Sequence, residues 1–146
     1  MKKYLVLLTI IIVFLGGCKL DEAGFPIAGS SLLIGKWYNK STTTYTPPQN
    51  GGVVSFTINN NYTTSDYLLF DVGTVTASII GLPTNTYKYV YQGSTLTLTS
   101  NVDPTNIETS TVQKLTADSL VLVSTATITI NGAITLSTVT DHYAHK

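Results

Sequence analysis

From Lys36 to Tyr143 apolar and polar residues alternate in short runs, with Gly, Pro, Asn, Asp and Ser between them. Spacings of about eight to twelve residues and a period of two mark strands that bury one face. The runs predict nine strands: Lys36–Tyr45, Val53–Asn59, Tyr62–Phe70, Val75–Ile80, Thr86–Gln92, Thr95–Ser100, Glu108–Leu115, Ser119–Ile128 and Ala133–Tyr143. Ser31–Gly35 reads as a helical turn leading into the first. No run after Cys18 carries the period of an amphipathic helix of ordinary length, so no helix is available to cover a sheet face. A sheet that is apolar on one side must then cover itself, and closure also removes exposed edges. The expected fold class is all-β, a single antiparallel up-and-down barrel of about eight or nine strands.

Two hairpins test register, because residues paired across antiparallel strands share a face. A two-residue loop at Gly93-Ser94 pairs Tyr91 with Leu96 and Tyr89 with Leu98, and on the other face Val90 with Thr97 and Lys88 with Thr99. Glycine at its first position suits a type II′ turn. At Asn131-Gly132 the two-residue turn would mix apolar and polar residues on both faces. A three-residue loop, Ile130-Asn131-Gly132 with a glycine bulge, instead pairs Ile128 with Ile134 and Ala126 with Leu136, and is the expected arrangement. The same alternation places Val54, Phe56 and Ile58 inward on the second strand, and Leu120 and Leu122 inward on the eighth.

The start of the chain obeys a different pattern. Lys2 and Lys3 precede an apolar run from Tyr4 to Leu15, too short to span a bilayer comfortably, and Leu15-Gly16-Gly17-Cys18 closes it. This is the layout of a secretory signal, and its last four residues resemble the bacterial lipobox. The resemblance implies cleavage before Cys18, a diacylglyceryl group on the thiol and an acyl chain on the new amino terminus, palmitate among the expected lipids. Several acyl chains, at about 0.8 kcal/mol per buried methylene, make a durable membrane anchor. Residues 1–17 are thus expected to be a signal peptide, 18–30 a lipidated tether and 31–146 the barrel domain. Gly24, Pro26 and Gly29 keep the tether out of helix. Lys19 followed by Asp21 and Glu22 resembles the export signal of surface lipoproteins in the Bacteroidota, although Leu20 interrupts it. The expected location is the bacterial outer membrane, with both the cell surface and the periplasmic face open.

Composition narrows the functions. Cys18 is the sole cysteine, so no disulfide and no thiol chemistry is expected of the domain. Charged residues make up 11% of the chain, against about 25% in ordinary soluble proteins, and the formal net charge is zero with no arginine present. Nothing there favours nucleic acid. The 25 threonines supply β-branched polar residues for exposed strand faces.

Gly35-Lys36-Trp37 opens the domain, followed by Val54-Ser55-Phe56 and Tyr62, then Tyr87-Lys88-Tyr89 before Leu96-Thr97-Leu98, then Val112 to Leu122. That succession resembles the lipocalin-like domains of small lipoproteins in the Bacteroidota. The resemblance implies a barrel in which Gly35 and Trp37 form the structural plug of the closed end. Lipocalins usually pack an arginine over that tryptophan, and this chain has none.

Catalytic chemistry is thin. Hydroxyl nucleophiles need an adjacent base, and the histidines, His142 and His145, fall in the last residues, where a strand end or solvated tail is expected rather than a metal site. Asp66, Asp71, Asp103, Glu108, Asp118 and Asp141 fall mostly at strand ends and loops, and their spacing does not mark a glycosidase pair. A non-enzymatic role without metal or cofactor is expected. Tyr87, Tyr89 and Tyr91, together with Phe56, are the candidate residues for a small apolar or amphipathic ligand in the barrel. The competing expectation is a filled barrel that contacts a protein or carbohydrate partner.

Overall fold

The computed structural model describes residues 30–48, 55–130 and 133–145. Cys18, the signal segment, the tether before Ser30, Val53, Val54, Asn131 and Gly132 lie outside the described residues. A single 3-10 turn, Ser30–Leu32, precedes nine strands: β1 (Gly35–Thr46), β2 (Ser55–Asn59), β3 (Tyr67–Asp71), β4 (Thr74–Ser78), β5 (Asn85–Gln92), β6 (Thr95–Ser100), β7 (Ile107–Leu115), β8 (Ser119–Ile130) and β9 (Ala133–His145). Eight of them close an antiparallel ring in the order β1-β3-β4-β5-β6-β7-β8-β9, with β9 returning to β1. This is an up-and-down barrel of lipocalin-like form, and β2 is the extra strand.

β2 and β3 lie end to end along one edge of β1. Thr42–Thr46 of β1 pair with β2, whereas Gly35–Tyr38 pair with β3. The residues between, Tyr62 among them, form a loop and not the start of a strand as their apolar-polar pattern suggests. Asp66 explains the break. Its carboxylate is buried and accepts hydrogen bonds from the Thr63 amide at 2.7 Å, the Thr63 hydroxyl at 2.9 Å and the Ile80 amide at 2.9 Å. These bonds fold the loop back on itself and tie it to the β4–β5 turn, and they hold the acid below the usual carboxylate range, the Ile80 amide contributing most.

The hydrophobic core fills the base of the barrel. Leu33, Trp37, Leu68, Phe70, Val75, Leu96, Val112, Leu120 and Leu122 form one buried cluster. The Gly93-Ser94 hairpin has the register expected of it, with Tyr91 opposite Leu96, Tyr89 opposite Leu98, and φ of +62° at Gly93. Leu120 and Leu122 are buried as expected.

The β8–β9 hairpin corrects the sequence reading. Ile130 pairs with Ala133, Ile128 with Thr135 and Thr127 with Leu136, so the strands are joined across two residues and the three-residue loop is wrong. Residues Thr135 and Ser137 share the inward face with Leu122, while Ile134 and Leu136 point outward, 74% and 64% exposed. The inward placement of Phe56 and Ile58 is wrong for the same reason: both are on the outer face, 66% and 64% exposed, and Phe56 stacks against Tyr45 with ring centroids 5.2 Å apart. Both errors came from assuming that the apolar side of every strand faces the core. At this end of the barrel the polarity of β1, β2 and β9 is inverted, with hydroxyls inside and apolar side chains outside, while β8 keeps Ala126 and Ile128 inward.

The inversion coincides with a change in architecture. β7 and β8 pair only over Thr111–Leu115 and Leu120–Val123, and β2 pairs with β1 alone among the described residues. Beyond the ring, the outer halves of β8, β9, β1 and β2 therefore continue as a four-stranded flap. The seven residues Ala133–Val139 of β9 that lie beyond the ring reach about 23 Å at the rise of an extended strand.

Candidate functional site

The closed end is built from the first turn inward. The indole Nε1–H of Trp37, fully buried, donates to the Leu33 carbonyl at 2.7 Å, which fixes the turn beneath the ring. His145 packs edge-on against that indole, centroids 4.9 Å apart with planes 72° to each other. It covers the tryptophan from the last strand, where lipocalins place arginine. The histidine thus belongs to β9 and not to a frayed tail. His142 and His145 lie three apart on a strand and so project to opposite faces; His142 is outward and exposed. Gly35 makes the covering possible. It has φ of +125°, and a Cβ there would lie 2.4 Å from His145 Nε2.

The inward-facing side chains are sealed at the base, partly exposed around Asp141, and buried again farther out on the flap at Thr46, Thr135 and Ser137. Trp37, Phe70, Val75, Leu96 and Leu120 are essentially sealed, whereas Thr42, Asp141, Val139, Tyr87, Leu98, Ser100 and Ser110 are only partly buried. The partly exposed level around Asp141 forms a cup above the sealed base. Its wall is mostly polar on the flap side, with Thr42 and Thr44 on β1 and Asp141 beside the apolar Val139 on β9, and partly aromatic on the facing side, with Tyr87 on β5. Deeper in the flap Thr46 and Ser137 share a hydrogen bond of 3.0 Å, and the buried Thr135 hydroxyl has no partner.

The tyrosine run Tyr87-Lys88-Tyr89-Val90-Tyr91 does face inward on alternate residues, packed against the core cluster. The three rings are spread along the axis and do not gather at the mouth. Tyr91 lies near the Gly93 turn at the closed end, Tyr89 packs edge-on against Phe70 at 5.2 Å, and only Tyr87, opposite Ser100, reaches the cup. Phe56 lies outside the lumen altogether.

The side chains that do converge in the cup centre on Asp141. Its Oδ1 accepts a short hydrogen bond from the Thr42 hydroxyl, and Tyr62 donates to Thr42 Oγ1 at 2.5 Å. The Asn39 amide bonds the same carboxylate, while Asn39 Oδ1 is buried without a partner. Burial raises the Asp141 carboxyl above its usual value, opposed by the Thr42 and Asn39 hydrogen bonds and by His142. Tyr143 beside it is pushed far above the ordinary phenol range, chiefly by burial, then by Asp141, Tyr62 and Glu108. Glu108 also acts, after burial, to raise Tyr87. Glu108 on β7 is thus within electrostatic reach of both Tyr87 on β5 and Tyr143 on β9.

Sequence reading missed this group because it treated Asp141 as a strand-end acid. The available signal was parity: Asp141 alternates in step with Val139 and Tyr143, and an inward Tyr143 carries Asp141 in with it. Thr42, Asn39 and Tyr62 had no such signal, since their approach depends on the bulge in β1 between Asn39 and Ser41 and on the loop before β3. Beside that bulge a polar cavity of about 190 Å³ is lined by Tyr38, Asn39, Lys40, Asn60, Tyr62, Thr63 and Thr64. Among the described residues no three His, Cys, Asp or Glu side chains converge as a metal-binding set. No family model, no curated protein and no solved structure matches the chain, so its likeness to lipocalins rests on the topology of the closed barrel alone.

Proposed function

We propose that this chain is a lipid-anchored lipoprotein of the bacterial outer membrane whose barrel holds a small amphipathic ligand. The observation that carries the reading is the change along the lumen from a sealed apolar base to a polar, partly exposed level around Asp141. An amphipathic molecule matches both halves: its apolar part meets Leu98, Ala77 and the Tyr87 ring, and its polar part meets the Asp141 group. The role is binding and not catalysis. The Leu15-Gly16-Gly17-Cys18 segment supports the anchor, and the uncharged outer face of the flap, with Phe56, Ile58, Ile134 and Leu136 exposed, suits a domain held at a lipid surface.

Two measurements test the two parts. Metabolic labelling with palmitate is expected to mark the native chain and not Cys18→Ser; equal labelling would refute the anchor. Native mass spectrometry of the chain purified from its own host is expected to show a small molecule in stoichiometric amount. A chain that emerges empty and takes up no amphiphile would refute the ligand. The exposed apolar face of the flap favours a second reading, an interaction lipoprotein whose outer flap contacts a protein. Cross-linking from position 136 in intact envelopes, yielding one reproducible adduct, would support that reading in place of the first.

A further inference from the structure

Charge is sorted across the barrel wall. The described lysines Lys36, Lys40, Lys88 and Lys114 all stand on the outer surface, Lys36 with its ammonium 3.6 Å from the centre of the outward Tyr67 ring. Of the three carboxylates on strands, Asp71 points outward, whereas Glu108 pairs with Leu98 and Asp141 with Leu122 on the inner face. Among the described residues the inner face thus carries Asp141, partly buried, and Glu108, exposed at the rim, and no lysine, while His145 covers Trp37 at the opposite end. A further signal comes from hydrogen bonding. Asp141 receives the Thr42 hydroxyl and the Asn39 amide, but the buried Asn39 Oδ1 is left without a donor. Among the described residues, the surroundings of Asp141 and Asn39 are short of a donor and of a lysine.

From this asymmetry we infer that the cup recognises its ligand through a positively charged, N–H-bearing head group, as in an alkylammonium, with Asp141 as its direct partner and Glu108 at the rim. The inference rests on the ligand reading above and gives that ligand its chemical class. A partly buried carboxylate without a counter-ion is a standing cost to the fold, and an ammonium group arriving from the mouth offsets it. A fatty-acid carboxylate would instead meet two like charges, and a neutral alcohol would leave Asp141 uncompensated, so the cup selects by repulsion as well as attraction. The Tyr87 and Tyr143 rings add faces that favour a cation.

The test uses the full lipidated chain in phosphatidylcholine nanodiscs, titrated calorimetrically with hexylammonium, hexanol and hexanoate, with empty nanodiscs as the blank. These share one alkyl chain and differ in head-group charge. Hexylammonium is expected to bind at least tenfold more tightly than hexanol, and hexanoate most weakly. Asp141→Asn is expected to abolish that preference, and Glu108→Gln to reduce it and its dependence on salt. If hexanol or hexanoate binds as well as hexylammonium, the cationic head group is wrong and the ligand reading survives. If none of the three binds, both fall. Should Asp141→Asn not fold, the Glu108→Gln titration and the loss of hexylammonium affinity with added salt decide the matter, and a salt-independent preference would overturn it.

Discussion

Gly35 carries two duties in one residue: a left-handed backbone that other residues adopt only under strain, and the space into which the His145 ring settles over Trp37. Gly35→Ala is expected to destabilise the barrel by about 1–3 kcal/mol, read as a lowered urea midpoint. Adding His145→Ala should recover only part of that loss, because it removes the steric contact and leaves the backbone strain. Full recovery would mean that the backbone conformation costs nothing. Asp141 behaves oppositely to Asp66. Its carboxyl is raised in the folded protein, so the stability associated with its neutral form is complete below the unfolded value near 3.8 and declines as pH rises through the folded value. Asp66 is lowered, and its contribution is present above the unfolded value and lost as pH falls through the folded one. The groups facing Asp141 are Thr42 and Asn39 on β1, Tyr143 and the neighbouring His142 on β9, with Tyr62 and Glu108 close enough to act on Tyr143. Asp141→Asn is therefore expected to raise the melting temperature at pH 7 and to leave it unchanged at pH 3. A lower melting temperature at pH 7 would contradict an uncompensated buried acid. Gly35-Lys36-Trp37 pointed to a buried tryptophan through its resemblance to the lipocalin signature, but the His145 cover was not legible, because nothing near either residue in the chain refers to the other.

Strand existence was legible because alternation reports local geometry, and the Gly93-Ser94 hairpin was legible down to its register because its two faces differ clearly in polarity. The flap hairpin failed where that contrast points the other way. Both registers of β8 against β9 keep the strands antiparallel, and choosing between them by matching apolar to apolar presumes an apolar interior that the cup does not have. The consequence is measurable on two phenylalanines. Phe56, on the outer face of β2, is expected to tolerate replacement by serine within about 1 kcal/mol, since it loses little beyond its cross-strand contact with Tyr45. Phe70→Ala, in the base cluster, is expected to cost about 3–5 kcal/mol. Equal losses in equilibrium unfolding would restore the inward Phe56 that the sequence pattern suggests.

The whole molecule is a plugged barrel at one end and an open four-stranded flap at the other, and its stability should follow that division. Native-state hydrogen exchange is expected to be slowest for Leu120–Val123, paired on both sides by β7 and β9, and at least tenfold faster for those amides of Ser124–Ile130 that point away from β9. Uniform protection along β8 would mean that the flap edge is covered. By itself the sequence determined the class of fold and most strand positions, because the period of two and the turn residues are local properties of the chain. It also marked the tryptophan plug and the lipobox-like segment around Cys18. Which face of each outer strand looks inward, how Asp141 and the rim residue Glu108 come to one inner face that holds none of the described lysines, and where the barrel stops being closed were decided only by the tertiary structure. Those features depend on where β7 parts from β8 and on how β2 and β3 divide one edge of β1, and contacts between such distant parts of the chain leave no trace in its local alternation.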